Sequence, residues 1–132
     1  MNERDADLLH HSYKRCLKRS GFLERFYEIF VASSEEVAAK FAHTDFKKQI
    51  RVLKLSLYML MTSVATPLPE LARIAEVHSK RQLDIPPKLY DLWLDCLLQA
   101  VREFDPKWNE EVDAAWRRVL TTGIQFMKSK YV

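Results

Sequence analysis

LARIAEVHSKRQLDIPPKLY (residues 71–90) predicts a helix that ends near a histidine, then a charged turn, then a second helix opened by two prolines. The apolar positions and the histidine recur at i, i+3, i+4 and i+7: Leu71, Ile74, Ala75 and His78. That spacing puts the imidazole on the apolar face of the helix. Taken alone, such a histidine is more often a hydrogen-bonded core residue than a ligand. Two interpretations of His78 are therefore open, a core residue or an axial ligand to a buried metal or haem.

Length and composition are those of a folded, helix-rich protein. The chain has 132 residues, of which 48% are apolar and 11% aromatic, and it contains only 2 glycines. A chain of this length usually forms one domain and buries enough surface for a hydrophobic core. We therefore expect a single domain over residues 1–132.

Charges nearly balance, with 21 basic residues against 18 acidic ones. Basic clusters at residues 14–19 and 47–51 lie on helical patterns, which favours solvated helix faces and leaves nucleic-acid binding as the weaker alternative. The longest uncharged run, residues 55–69, is too short for a bilayer span, and the charged N-terminus is not that of a signal peptide. We expect a cytoplasmic protein that binds neither nucleic acid nor membrane.

Cysteines and the remaining histidines show no metal-binding spacing. Cys16 and Cys96 are far apart and predict free, mostly buried thiols in a reducing compartment. His10, His11 and His43 have no ligand partner at a useful spacing, so we expect them at the surface.

Hydrophobic periodicity predicts helices along the whole chain and no strands. The pattern gives helices near residues 5–18, 22–32 and 33–41, the last with Ser33 as its cap. A long helix to residue 63 follows, capped by Thr44 or Asp45. Asp105 and Pro106 predict the cap and first turn of a final helix. The fold class we predict is all-α, with about seven or eight helices.

Common catalytic motifs are absent from the sequence. It contains no GxSxG, no HExxH and too few glycines for a phosphate-binding loop. Acidic pairs such as Glu35–Glu36 are adjacent on a helix, which points their side chains apart. The residues alone therefore indicate no hydrolytic or phosphoryl-transfer centre.

The order of residues along the chain carries a more specific signal. A Phe26–Tyr27 pair on the second helix precedes an aromatic residue at the next corner, a glutamine and leucine on the long helix, and the histidine of residues 71–90. This order resembles that of bacterial single-domain globins and is similar to the haem domain of flavohaemoglobins. The resemblance covers essentially the whole chain. It implies a globin fold around a pocket for haem b.

The resemblance also implies a role for each matching residue. Tyr27 and Gln49 match the distal pair that hydrogen-bonds a gas ligand, and His78 matches the proximal ligand to the iron. The implied wall of the cofactor pocket is formed by Phe41, Leu53, Ile74, Ile85, Tyr90, Trp93 and Leu97.

Several positions depart from the flavohaemoglobin pattern. The interval from Phe41 to Gln49 is shorter, so the match of Gln49 depends partly on its helical phase with Leu53. Glu35 stands near the place of a common proline, and Tyr131 stands near the place of a glutamate on the last helix. The chain then ends, and we expect no reductase domain.

The resemblance implies a protein that binds O2, NO or another diatomic gas at a His-ligated iron. The Tyr27 and Gln49 pair favours slow O2 release and NO dioxygenation over simple storage. Turnover depends on an external reductase, so the question of enzymatic activity stays open. The alternative is a globin-fold sensor or interaction module that acts through a protein partner, with or without haem. An exposed face of the last two helices also offers a surface for a homodimer.

Overall fold

The computed structural model describes residues 3–61 and 88–130, and every regular element within those ranges is an α-helix. The helices are α1 (Glu3–Leu17), α2 (Phe22–Ser33), α3 (Glu35–Lys40), α4 (Phe46–Met61), α5 (Lys88–Phe104) and α6 (Glu110–Lys130). The all-α prediction is confirmed. The predicted helix that carries His78 lies outside the described residues.

Gly21 separates α1 from α2, in the interval between the helices predicted near residues 5–18 and 22–32. Its φ of 92° lies in the left-handed region, which glycine adopts without steric penalty. Phe22 then begins α2, and its ring is fully buried. The turn thus places α2, with its four buried aromatic residues, in the core immediately after α1.

The cap of α3 lies one residue later than predicted. Ser34 has an extended backbone, and its Oγ accepts hydrogen bonds from the backbone N–H of Glu36 at 3.2 Å and Val37 at 3.5 Å. Ser33 instead ends α2, and its hydroxyl donates to the Phe30 carbonyl at 2.6 Å. The prediction of Ser33 as the cap was wrong because two adjacent serines fit the pattern and only the backbone of Ser34 has left the helix.

Asp45 is the cap of α4, which settles one of the two predicted alternatives. Its Oδ1 accepts hydrogen bonds from the backbone N–H of Lys47 at 3.1 Å and Lys48 at 3.4 Å. The cap fixes where α4 begins. Phe46 is therefore the first helical residue, five positions after Phe41.

The final helix begins later than predicted, at Glu110. Asn109 is its cap, because Asn109 Oδ1 accepts a hydrogen bond from the Val112 N–H at 2.8 Å. Asp105 caps only the short turn before it, through the Lys107 N–H at 2.8 Å. The prediction of Asp105–Pro106 as the start of the final helix was wrong because the Asp-Pro signal marks this turn.

Asp105 has a second role, because it is buried and ties α1 to the turn after α5. Arg15 donates to both carboxylate oxygens, at 2.6 Å and 2.9 Å, and the Ser12 hydroxyl donates at 2.6 Å. Trp116 Nε1 donates to Ser12 Oγ at 2.9 Å, which extends the network to α6. Arg15 is therefore not simply part of a solvated basic face, as its cluster suggested. Lys14, like the others of that cluster, is exposed.

Within residues 3–61 and 88–130, the core is built mainly from two helix pairs, α1 with α6 and α2 with α5. The largest fully buried side chains of these ranges are Trp116, Phe22, Phe26 and Phe30. Both cysteines are free and buried, as predicted. His10, His11 and His43 are exposed, also as predicted. Among the described helices, none combines the length and apolar character that a bilayer crossing requires.

Replacement of Asp105 by asparagine should lower the free energy of unfolding by about 3 kcal/mol, because it leaves Arg15 without a counter-charge in a largely buried site. Burial alone would raise the pKa of Asp105, but hydrogen bonds from Arg15 and Ser12 hold it below its usual value. The contribution of ionised Asp105 to the free energy of unfolding is therefore complete above the ordinary aspartate pKa of about 3.9. It disappears as the pH falls through the lower pKa of the folded state.

Urea unfolding at several pH values measures both effects. The difference between wild type and Asp105→Asn should shrink on acidification. Glu103→Gln is the matched control, because the Arg25–Glu103 ion pair is exposed on both sides and should matter little. An equal loss of unfolding free energy in Asp105→Asn and Glu103→Gln would contradict the stabilising role assigned to Asp105.

Candidate functional site

Aromatic side chains from α2, α4 and α5, and from the residue after α3, form one cluster. The Tyr27 ring lies 5.8 Å from Phe41 and 5.4 Å from Phe46, and Phe41 and Phe46 are nearly parallel at 6.2 Å. Phe30 contacts Phe41 at 5.9 Å. Offset and edge-to-face pairs at these distances add stabilisation beyond simple burial. We call this the aromatic cluster; its members are Phe26, Tyr27, Phe30, Phe41, Phe46 and Trp93.

A small cavity of about 20 Å³ lies between α2, α4 and α5. It is lined by Tyr27, Phe30, Phe41, Gln49, Val52, Leu53 and Trp93. A space of this size accommodates about one water-sized molecule. The Tyr27 hydroxyl and the Gln49 amide can form hydrogen bonds, while Phe30, Phe41, Val52 and Leu53 contribute apolar side chains.

Tyr27 is the most strongly perturbed group in this site. Its side chain is only 5% exposed, and burial raises the pKa of its hydroxyl to about 12. A hydrogen bond with the Gln49 side chain opposes that rise, as expected when an amide N–H donates to the phenol oxygen. Tyr27 therefore keeps its proton at neutral pH. Its O–H remains available as a donor.

Comparison with known proteins identifies the fold family. A family model described as Globin matches residues 11–127. The chain belongs to the globin family. The crystal structure of a Pseudomonas aeruginosa PAO1 protein, described as structurally highly homologous to a human haemoglobin, is similar with a TM-score of 0.92 and 41% sequence identity, covering 96% of this chain and 98% of that chain. No curated protein gives a significant match.

The globin fold brings together five of the residues that the sequence suggested for the site. Tyr27, Phe41, Gln49, Leu53 and Trp93 all line the small cavity. Their proposed roles stay predictions, but their convergence from three helices and a corner is what a shared pocket requires.

Two other suggested residues lie on α5 but do not line this cavity. Tyr90 is 4% exposed and Leu97 is fully buried. Ile74, His78 and Ile85 lie outside the described residues, so the predicted iron ligand and its neighbours have no structural account. Within the described ranges, no group of three or more His, Cys, Asp and Glu side chains could hold a metal ion.

Sequence reasoning did not assign Phe46 to the site of this globin. Its ring contacts both Tyr27 and Phe41 although 37% of the residue is exposed. The signal in the sequence was an aromatic residue directly after the Asp45 cap. The first residue of a helix lies close to the corner that precedes the helix, so its side chain can contact residues of that corner. Phe30 and Val52 complete the lining and follow the helical phase of Tyr27 and Gln49.

Tyr27 should remain protonated at about pH 11, between the ordinary tyrosine pKa of about 10 and its own value of about 12. NMR of tyrosine labelled with ¹³C at Cζ measures ionisation, and the Tyr27→Phe variant assigns the signal. Gln49→Leu should raise the pKa further, because it removes the hydrogen bond that lowers it. Ionisation of Tyr27 near the ordinary value would contradict this description of the site.

Proposed function

We propose that this globin binds a diatomic gas, O2 foremost, at haem b, with Tyr27 and Gln49 facing the gas and His78 as the iron ligand. The observation that carries the proposal is geometric: the buried Tyr27 side chain and Gln49 line one cavity of molecular size. Globins typically carry haem, and a wall that combines the polar groups of Tyr27 and Gln49 with apolar side chains suits its distal side. The solved relative described as haemoglobin-like supports the same interpretation.

The described residues have separable tasks in this proposal. Haem held in this pocket would supply an iron that binds a diatomic gas. Gln49 holds the phenol oxygen through its amide N–H, which orients the Tyr27 O–H to donate to the gas. Phe41, Leu53 and Trp93 exclude water from the space around it, which strengthens that hydrogen bond.

The remaining parts of the proposal rest on the resemblance to flavohaemoglobin haem domains. Ile74, Ile85, Tyr90 and Leu97 would complete the pocket wall, and residues 1–132 would form one globin domain. NO dioxygenation follows from the distal Tyr and Gln pair, since slow O2 release leaves time for reaction with NO. Continued turnover requires an external reductase to restore the ferrous state.

Purified protein should show a Soret band, directly or after addition of haem, and His78→Ala should weaken haem retention strongly. Absorbance and the ratio of haem to protein measure both. His43→Ala is the matched control, because His43 is exposed in the turn before α4. A colourless protein that takes up no haem would overturn the proposal and favour a globin-fold interaction module.

Tyr27→Phe should speed O2 release by roughly tenfold, the factor expected for loss of one hydrogen bond of about 1–1.5 kcal/mol. Stopped-flow displacement of O2 by CO measures the rate. Tyr58→Phe is the control, because Tyr58 is 61% exposed on α4. Unchanged release in Tyr27→Phe would mean that the hydroxyl does not reach the gas.

The same oxygenated sample distinguishes dioxygenation from simple binding. One NO should combine with one bound O2 to give one nitrate, and the iron loses one electron to become ferric. Rapid mixing followed by nitrate analysis measures the yield. Nitrate well below one per haem would remove the dioxygenase part and leave gas binding in place.

A further inference from the structure

The outward side of α4 combines positive charge with exposed apolar surface. Successive residues of an α-helix differ by about 100° of rotation, which places six exposed residues of α4 in one sector of about 120°. These residues are Lys47, Lys48, Arg51, Lys54, Leu55 and Tyr58. We call this sector the cationic face. Gln49 and Leu53 lie on the other side of the helix and line the small cavity, so the cationic face is separate from the candidate site.

The four cations of this face have no ionic partner among the described residues. The helix itself contains no Asp or Glu. Asp45, just before the helix, accepts hydrogen bonds from backbone N–H groups of its first turn. On α1, by contrast, Arg15 pairs with Asp105, and the helix also contains three acidic residues. The cationic face of α4 therefore presents its positive charge to solvent.

Two large apolar side chains are exposed on the same face. Leu55 is 57% exposed and Tyr58 is 61% exposed, which makes them the most exposed large apolar residues in the part of the chain that the structure describes. A single exposed apolar residue is ordinary on a protein surface. Leucine and tyrosine interspersed with lysine and arginine are instead typical of a surface that adsorbs to lipid, where cations meet the headgroups and apolar groups enter the boundary with the acyl chains.

We propose that the cationic face of α4 binds an anionic phospholipid surface, with its cations at the headgroups and Leu55 and Tyr58 inserted between them. Such binding is peripheral and needs no helix that crosses the bilayer. The expectation from the sequence that the protein binds no membrane rested on the lack of a run long enough to span a bilayer and of a signal peptide. Adsorption of an exposed helix face requires neither.

Two other kinds of partner fit this face less well. Nucleic acid would use the cations but leave Leu55 and Tyr58 without a role, because its backbone phosphates attract charge. Protein interfaces are depleted in lysine, and residues 47–58 span only about 17 Å of helix, too little for the roughly 800 Å² that each partner usually buries. A lipid surface needs no complementary shape and accommodates both the charged and the apolar side chains.

Sedimentation of the full chain with vesicles tests the charge. It should bind vesicles of equal parts phosphatidylcholine and phosphatidylglycerol, but not vesicles of phosphatidylcholine alone. The double variant Lys47→Gln, Lys54→Gln should weaken binding by about 30-fold, because each cation near an anionic surface contributes about fivefold. Lys14→Gln with Lys18→Gln is the matched control, since it removes the same charge from exposed positions at the end of α1. An equal loss in the control would mean that net charge, and not the cationic face, causes binding, and would overturn the proposal.

Leu55→Ser tests insertion into the lipid. It should weaken vesicle binding by roughly tenfold, the lower end of what burial of a leucine side chain contributes. Leu17→Ser is the control, because Leu17 is 42% exposed at the end of α1, away from the cationic face. Circular dichroism verifies that both variants are folded, as expected for exposed positions. Unchanged binding in Leu55→Ser would show that no apolar group enters the lipid and would overturn insertion.

Duplex DNA and poly-glutamate test the other two partners in parallel binding assays. Tight binding to duplex DNA without binding to anionic vesicles would overturn the proposal in favour of nucleic acid. Binding to poly-glutamate alone would overturn it in favour of an acidic protein. Binding to vesicles that weakens as NaCl is added and that requires Leu55 would support it. None of these measurements depends on haem, so the proposal can fail while the proposed function stands, and the reverse.

Discussion

A buried phenol hydroxyl needs a hydrogen-bond partner, and this requirement links α2 to α4. Tyr27 lies deep in the aromatic cluster, where an unpaired hydroxyl would cost about 1–3 kcal/mol. Gln49 supplies the partner from α4. The phase of α4 is thereby coupled to that of α2, and Leu53, one turn further along, is turned toward the same cavity. The polar pair and Leu53 therefore line the same cavity.

A second polar network, centred on Asp105, connects α1, α6 and the turn after α5. Asp105 is desolvated, and the bidentate contact with Arg15 together with the Ser12 hydroxyl offsets that penalty. Trp116 reaches the same serine, so α1, α6 and the turn after α5 share one network. Because α5, which ends just before Asp105, also packs against α2, this network and the aromatic cluster are joined through one helix.

Local patterns predicted the helices well and the tertiary polar contacts poorly. Hydrophobic periodicity is a property of each helix, so α1, α2 and α4 followed from the sequence. That Tyr27, Gln49 and Leu53 share one cavity was predicted only through the resemblance to bacterial globins. The residues next to Asp105 in the sequence predict only a capping role for it. Its buried contact is with Arg15, 90 residues earlier, and the local sequence does not indicate that contact. Ser33 and Ser34 both fit the capping pattern, and the local sequence does not show which of the two leaves the helix.

The short link before α4 connects the site to its surroundings. Asp45 starts the helix only five residues after Phe41, and this brings Phe46 against both Phe41 and Tyr27. The position of the Asp45 cap thus adds Phe46 to the aromatic cluster, although 37% of that residue is exposed. Phe46 does not itself line the small cavity, so it supports the cavity through its contacts with Tyr27 and Phe41, which do.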